Sequence, residues 1–427
     1  MGKQITFINA RVIDPKAEIE TSGTLTINGG LIEKRDGGIE GKVIDCKGMC
    51  LAPGIIDIGV KICEPGEKHK ESFRSASNAA ATGGVTSLVT RPDTRPSIDN
   101  PELLEFFKNR GKEVSKVRIF PSASLTKKNN GKKMTEIGFL HDGGAVAFTD
   151  GFNSIPDTKT FHQILKYASD FNTLIIGHPQ DYFLTKNTSA TTGVFASFKG
   201  ILSGPDTAEK IGMERDAALI SNLNIRYHAD QITTKIGLDV LRNAKATNNR
   251  ITAGTSIHHF LFNELDIGNY RTFFKLKPPL RSNSDREALT EAISEGLIYN
   301  ICSMHTPQDE ESKRLPFEEA APGAVGLETI LSASLSLYHN GVLSLNELFR
   351  LLALNPAKII KKNLGSLEEG QAADIIIFDP DKPVKIDRFQ LQSKSQNTPF
   401  DGFSLQGENL LTMVEGEIIF KNNSFKV

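Results

Sequence analysis

The sequence predicts an α/β fold, a (β/α)8 barrel of the TIM type joined to a small β-rich domain built from both chain termini. Two observations carry this reading. Between about residues 54 and 355, short apolar runs alternate with longer segments of helical period, the pattern of βα units around a parallel sheet. The runs number eight: 55–62, 86–90, 117–122, 145–149, 174–177, 224–228, 250–256 and 298–303. Eight strands with intervening helices are what a closed barrel requires. Outside this region, at 1–53 and 356–427, the texture is of β-branched strands punctuated by glycine turns, with a connecting helix at the start of the second segment.

The elements follow in order. "QITFINARVID" and "TLTINGGLIEK" read as strands broken at Gly29-Gly30. "NPELLEFFKNRGKEV", "TKTFHQILKYASD", "TAEKIGMERDAALISN" and "TKIGLDVLRNAKATN" place Leu, Ile and Phe on one helical face and charges on the other. "AADIIIFDP" and "LLTMVEGEIIFKN" are strands, the latter folded at Glu415-Gly416. The charged run "DEESKRLPFEE", with Asp309 at its head, reads as a solvated loop.

Composition narrows the function. The chain has 427 residues, 50 Lys+Arg against 51 Asp+Glu and a net charge of −1, without the basic excess of a nucleic-acid binder. No stretch approaches the ~20 apolar residues of a membrane span, so a soluble, cytoplasmic protein is expected. The four cysteines are too sparse for a disulfide framework, and Cys46-x3-Cys50 lacks partners for a zinc knuckle. Residues 1–6 match a loose myristoylation pattern, but the strand beginning at Ile5 makes this a coincidence.

Chemistry in a barrel sits where the strands end. The candidates there are Gly59, Lys61, Arg91, Asp93, Asp150, His178, Gln231, His258, Met304 and His305. Asp, His and Lys at such positions are the material of a binuclear metal site that turns water into hydroxide.

At these positions the sequence resembles dihydroorotase, of the amidohydrolase superfamily. "LAPGIIDIGVKICEPGEKHKES" is similar to the family's opening PG-[LF]-[IV]-D-x-H-x-H-x-R-E-P-G segment. "AAATGGVTSLVTRPDTRPSIDNPE" is similar to its A-A-x-G-G-x-T-x-x-x-x-M-P-N-T-x-P segment. "KPPLRSNSDREAL", "LPFEEAAPGAVGLET", "NPAKI", "LEEGQAADIIIFDP" and "KSQNTPFDG" follow in order across nearly the whole chain.

The resemblance implies the fold but not the chemistry. The family's two first-strand histidine ligands fall on Gly59 and Lys61. Asp150 and His178 keep the carboxylate and imidazole of the fourth and fifth strands. The sixth-strand histidine falls on Gln231, and the eighth-strand aspartate, ligand and acid/base, on Met304. The family's substrate contacts fall on Cys63, Asp93, Lys277 and Gln308. Two retained donors hold zinc weakly, a lysine repels it, and a thioether moves no proton. No catalytic residue, no metal and no cofactor is therefore expected, with zinc implied only if the chain is active.

Lys61 has two readings: it snorkels to solvent, or it fills the vacated metal position and pairs with Asp150. His178 is expected to be a hydrogen-bonded relic and His258-His259 to pack as readily as to bind a ligand. Cys63 and His305 could be drawn as a nucleophile pair, although nothing places them within reach. Three functions follow. The first is a catalytically silent dihydroorotase-like chain that, as the resemblance implies, assembles into homo- or hetero-oligomers with aspartate carbamoyltransferase in pyrimidine biosynthesis. The second is an active zinc-dependent cyclic amide hydrolase with a degenerate site. The third is a small-anion sensor with a basic pocket of Lys61, Arg91 and Lys277.

Overall fold

The computed structural model describes residues 4–425; the first residues of the myristoylation-like pattern lie outside them. Two large sheets organise the chain. In the first, both chain ends meet: Cys50–Pro53 runs antiparallel to Ile375–Lys385 and parallel to Ile5–Asp14, so a strand from each end is hydrogen-bonded through one central strand. Ser404–Val414 and Glu417–Lys421 extend it as a hairpin, and Glu415 and Gly416 at the turn both adopt positive φ, as a tight hairpin turn requires.

The second sheet is the barrel. Its strands, in chain order, are Ile55–Val60, Val85–Thr90, Arg118–Ala123, Ala147–Phe148, Leu174–Gly177, Arg226–Asp230, Ile251–Ser256 and Asn300–Cys302, each parallel to the next. Lys61 N donates to His305 O at 2.9 Å, which brings the first strand against the end of the eighth. Each strand begins and ends within two residues of where the sequence places it. The fourth is the shortest, because the chain turns away at Thr149 to deliver Asp150 to the mouth.

The four helices read from periodicity form at Pro101–Val114, Thr158–Ser169, Thr207–Ile220 and Lys235–Thr247. Asn100, Asp157 and Thr234 cap three of them through side-chain acceptors. The charged run differs from expectation. Asp309 accepts Ser312 N and starts a short helix, Glu310–Arg314, and Lys313 turns inward to donate to Thr272 O at 2.9 Å and Ala321 O at 2.7 Å. Charge density alone gave no sign that backbone carbonyls would draw this lysine inside.

The terminal sheet shares an apolar core with the barrel, in which Ala52, Ile376 and Phe378 pack with Ile55, Val85 and Leu88, and polar contacts join the two as well. Arg118 forks onto Asp374 at 2.7 and 3.2 Å, and Asn409 Nδ2 donates to Thr82 O at 3.0 Å. Among the described residues no helix is long and apolar enough to cross a membrane.

Candidate functional site at the barrel mouth

The family's six ligand positions converge at the strand ends, and three of them share an unusual backbone. Gly59, Gln231 and Met304 have φ of 91°, 62° and 49°. Left-handed backbone at a glutamine and a methionine is strained and persists only where the surrounding fold imposes it. The barrel thus keeps a special strand-end geometry while carrying side chains that cannot coordinate.

Each side chain is committed elsewhere. Met304 is buried, and a Cβ added at Gly59 would meet its Sδ at 3.0 Å, so the thioether stands where a first-strand side chain would begin. Gln231 Nε2 donates to Asp230 Oδ1 at 3.0 Å and to Cys302 Sγ at 3.2 Å, while its Oε1 accepts Ser256 N at 3.0 Å. Asp150 accepts Leu125 N at 2.9 Å, Thr126 N at 3.0 Å and the Thr126 hydroxyl.

Lys61 does not pair with Asp150. Its Nζ lies 3.2 Å from Asp93 and 3.7 Å from Glu67. The physical reason is that the loop hydrogen bonds already satisfy Asp150, whereas Asp93 stands on the neighbouring loop facing both Lys61 and Arg91. Arg91 completes the arrangement with a bidentate contact to Asp93 at 3.1 and 3.0 Å and a bond to Thr306 Oγ1 at 3.2 Å. The two cations hold the Asp93 carboxyl well below the usual carboxylate range, against the burial that would raise it. Two of the three charges of the expected basic pocket of Lys61, Arg91 and Lys277 are thus engaged by carboxylates, Arg91 by Asp93 and Lys61 by Asp93 and Glu67.

Phe152 closes the centre. The Arg91 guanidinium lies over its ring at 4.2 Å, and the ring meets His178 edge-on at 5.6 Å. The space left among Phe152, His258, Met304 and Thr306 is about 10 Å³, too little for a substrate. Sequence reasoning missed Phe152, Glu67 and Thr126. Only the position of Phe152, two residues beyond a mouth carboxylate, was a signal, and it does not say which way the ring points.

The paired histidines pack. His258 stacks on Phe400 at 5.4 Å, and His259 bonds Ser256 Oγ at 2.9 Å and Pro278 O at 3.3 Å. Burial pushes both imidazoles down, to about 3 and about 4. Cys63 is buried, its thiol pushed up to about 12 by burial, and His305 Nε2 lies 3.4 Å from Glu71, so the two make no nucleophile pair. Cys46 and Cys50 are buried likewise with thiols at about 12. Gln308 Nε2 donates to Pro322 O at 3.0 Å.

These donors do not fit zinc. Four of the six positions lack a suitable ligand, both Asp150 oxygens already accept loop donors, and His178 is made less basic by burial first and then by the charges of Lys277, Arg281 and Arg91, which also repel a metal cation. Among the described residues no group of three or more His, Cys, Asp or Glu is arranged to hold a metal ion.

Asp150 carries a testable consequence. Burial raises its carboxyl to about 6, despite the hydrogen bonds from Thr126 and Leu125. The folded chain therefore binds a proton that the unfolded chain releases above about 4. Stability from this group falls as pH rises through that window; the loss is complete above pH 6 and absent below about 4. Asn cannot ionise, and its Oδ1 can accept the same two backbone donors. Asp150→Asn is expected to raise the melting temperature at pH 8, by at most about 2–3 kcal/mol of stability, with the gain shrinking toward pH 4. Melting curves of both proteins across pH check this; a variant less stable at pH 8 would mean the charged form is the one the site favours.

The whole chain has relatives of the same kind. A family model described as dihydro-orotase-like matches residues 48–237. The chain is 36% identical over 426 residues to the dihydroorotase of Ehrlichia chaffeensis, covering 98% of this chain and 95% of its relative. The chain belongs to the dihydroorotase-like family. It is also 33% identical over 418 residues to a protein of Pseudomonas aeruginosa named dihydroorotase-like protein, covering 97% and 99% of the two chains. In fold it matches the L-hydantoinase of Arthrobacter aurescens with a TM-score of 0.90 and 23% identity, over 100% of this chain and 98% of that one. That agreement shows the fold, a (β/α)8 barrel with a β-rich domain.

Proposed function

We propose that this dihydroorotase-like chain is catalytically silent and serves pyrimidine biosynthesis as a structural partner of aspartate carbamoyltransferase, in a homo- or hetero-oligomer. One observation carries the reading: the centre is filled by Phe152 and Met304, and Lys61, Arg91, Asp93 and Gln231 are engaged with neighbouring protein groups. Hydrolysis of a cyclic amide needs an activated water, a proton acceptor and room for the ring. A thioether at the acid/base position accepts no proton, and the remaining space admits no ring. The scaffold is meanwhile intact, with barrel, capped helices and β domain all well specified, as a chain retained for its shape requires. The partner rests on the family resemblance alone.

A second reading, an active zinc-dependent dihydroorotase, is favoured by the names of relatives such as the Ehrlichia chaffeensis protein. Two experiments separate them. Purification from the native source is expected to bring aspartate carbamoyltransferase with this chain, while the purified chain leaves dihydroorotate unopened. Ring opening above background, or isolation with no such enzyme attached, would overturn the first reading.

A further inference from the structure

Between Lys186 and Asp206 the chain carries a single charged side chain, Lys199, although 24% of all residues are charged. The segment follows the fifth barrel strand and folds into the short strand Ala190–Thr191, the helix Val194–Lys199 and the short strand Ser203–Gly204. An ordinary surface helix turns its polar side to water. Here the outer side is apolar: the helix buries Ala196 and leaves Val194 88% and Phe198 84% exposed, one turn apart.

Neighbouring segments widen this face. Tyr270 Oη donates to Lys199 O at 2.6 Å, and a Cβ at Gly193 would lie 3.8 Å from the Glu264 carboxylate, so residues 264–270 run beside the helix and bring exposed Leu265 and Tyr270 to it. A Cβ at Gly204 would meet Leu184 O at 2.9 Å, which sets the helix Tyr182–Thr185, with exposed Phe183, against the strand that follows exposed Leu202. The accessible parts of Phe183, Val194, Phe198, Leu202, Leu265 and Tyr270 come to roughly 700 Å², at about 150–250 Å² for each whole side chain. An ordinary monomer's largest apolar patch is about 300–600 Å². The face instead approaches the ~800 Å² that each partner gives to a stable complex.

Covering this face strands no charge. Lys199 is already held, its Nζ 5.3 Å from the centre of the Tyr270 ring and 3.4 Å from Asn269 Oδ1. The ions at the margins have opposite signs. Lys186 is exposed just past the helix Tyr182–Thr185. Glu264 is half-buried, and its electrostatic neighbour is the like charge of Asp285. Among the described residues neither makes an ion pair.

We infer that this face binds the same face of a second copy of the chain across a two-fold axis, with Val194 and Phe198 of each copy at the centre and one copy's Lys186 against the other's Glu264. A two-fold interface has to be complementary to itself. An apolar centre with one unpaired cation and one unpaired anion at its margins meets that requirement, whereas steering toward a charged partner calls for a margin of one sign. The inference gives the surface of the homo-oligomer proposed above and rests on that part of the reading alone.

The test is sedimentation velocity of the purified full-length chain up to about 50 µM, since interfaces of this size bind at micromolar concentration or tighter. The expected result is a species of twice the chain's mass. Phe198 is almost wholly exposed, so Phe198→Asp leaves the packed interior alone and is expected to raise the dissociation constant at least about thirtyfold. Phe139→Asp, at an exposed ring on the helix Ile137–Asp142, is expected to leave it unchanged. Lys186→Glu and Glu264→Lys are each expected to weaken the dimer a few-fold at low salt, and the two together to restore it. Circular dichroism verifies that each variant is folded. A monomeric wild type, wild-type affinity in Phe198→Asp, or a double exchange that stays weak would each overturn the inference. A monomeric chain from which Phe198→Asp strips co-purifying aspartate carbamoyltransferase would give the face to that enzyme, overturning the second copy while leaving the proposed function standing.

Discussion

Restoring the first-strand histidine by Gly59→His is expected to destabilise the chain by about 2–5 kcal/mol and to recruit no zinc. The backbone at Gly59 has φ 91°, where any side chain is strained, at roughly 1–2 kcal/mol. A Cβ there meets Met304 Sδ at 3.0 Å, so the imidazole overpacks the centre, adding roughly 1–3 kcal/mol. Denaturant unfolding measures the loss. The second change, Met304→Asp, removes the thioether, so the double variant is expected to recover part of the stability lost in the single one. Equal stability of wild type and Gly59→His would mean that Met304 is free to leave the position.

Arg91→Met is expected to cost about 3–5 kcal/mol, the range for stranding one member of a buried pair. Arg91 is 3% exposed and supplies the bidentate contact to Asp93, the bond to Thr306 and the face over Phe152. Without it, Asp93 keeps only Lys61. Lys61→Met is expected to cost about 1 kcal/mol or less, because Asp93 retains Arg91 and Glu67 retains Lys70 at 2.8 Å. The contrast distinguishes the observed arrangement from a Lys61–Asp150 pair, for which Lys61→Met would be the damaging change. Unfolding free energies of the two variants at neutral pH measure it.

The barrel was legible because its signals are local and repeated. Alternating apolar runs and amphipathic helices recur along the chain, and a shift of one or two residues at a strand end leaves the pattern intact. The identities of Gly59, Gln231 and Met304 were equally legible, since a ligand's absence is read from residue type. Their pairing was not. Whether Lys61 meets Asp150 or Asp93 depends on which loop offers competing donors, and Thr126 and Leu125, distant in sequence from both, decide it. Phe152 filling the centre and Lys313 turning inward depend likewise on side-chain direction in loops, where no periodicity constrains it.

The donor set at the barrel mouth predicts a chain that holds no activating metal. The most direct measurement is the zinc content of the chain purified from zinc-supplemented cells and dialysed without chelator, read by plasma mass spectrometry. Zinc far below stoichiometric is the predicted result; one or two tightly held ions per chain would contradict it.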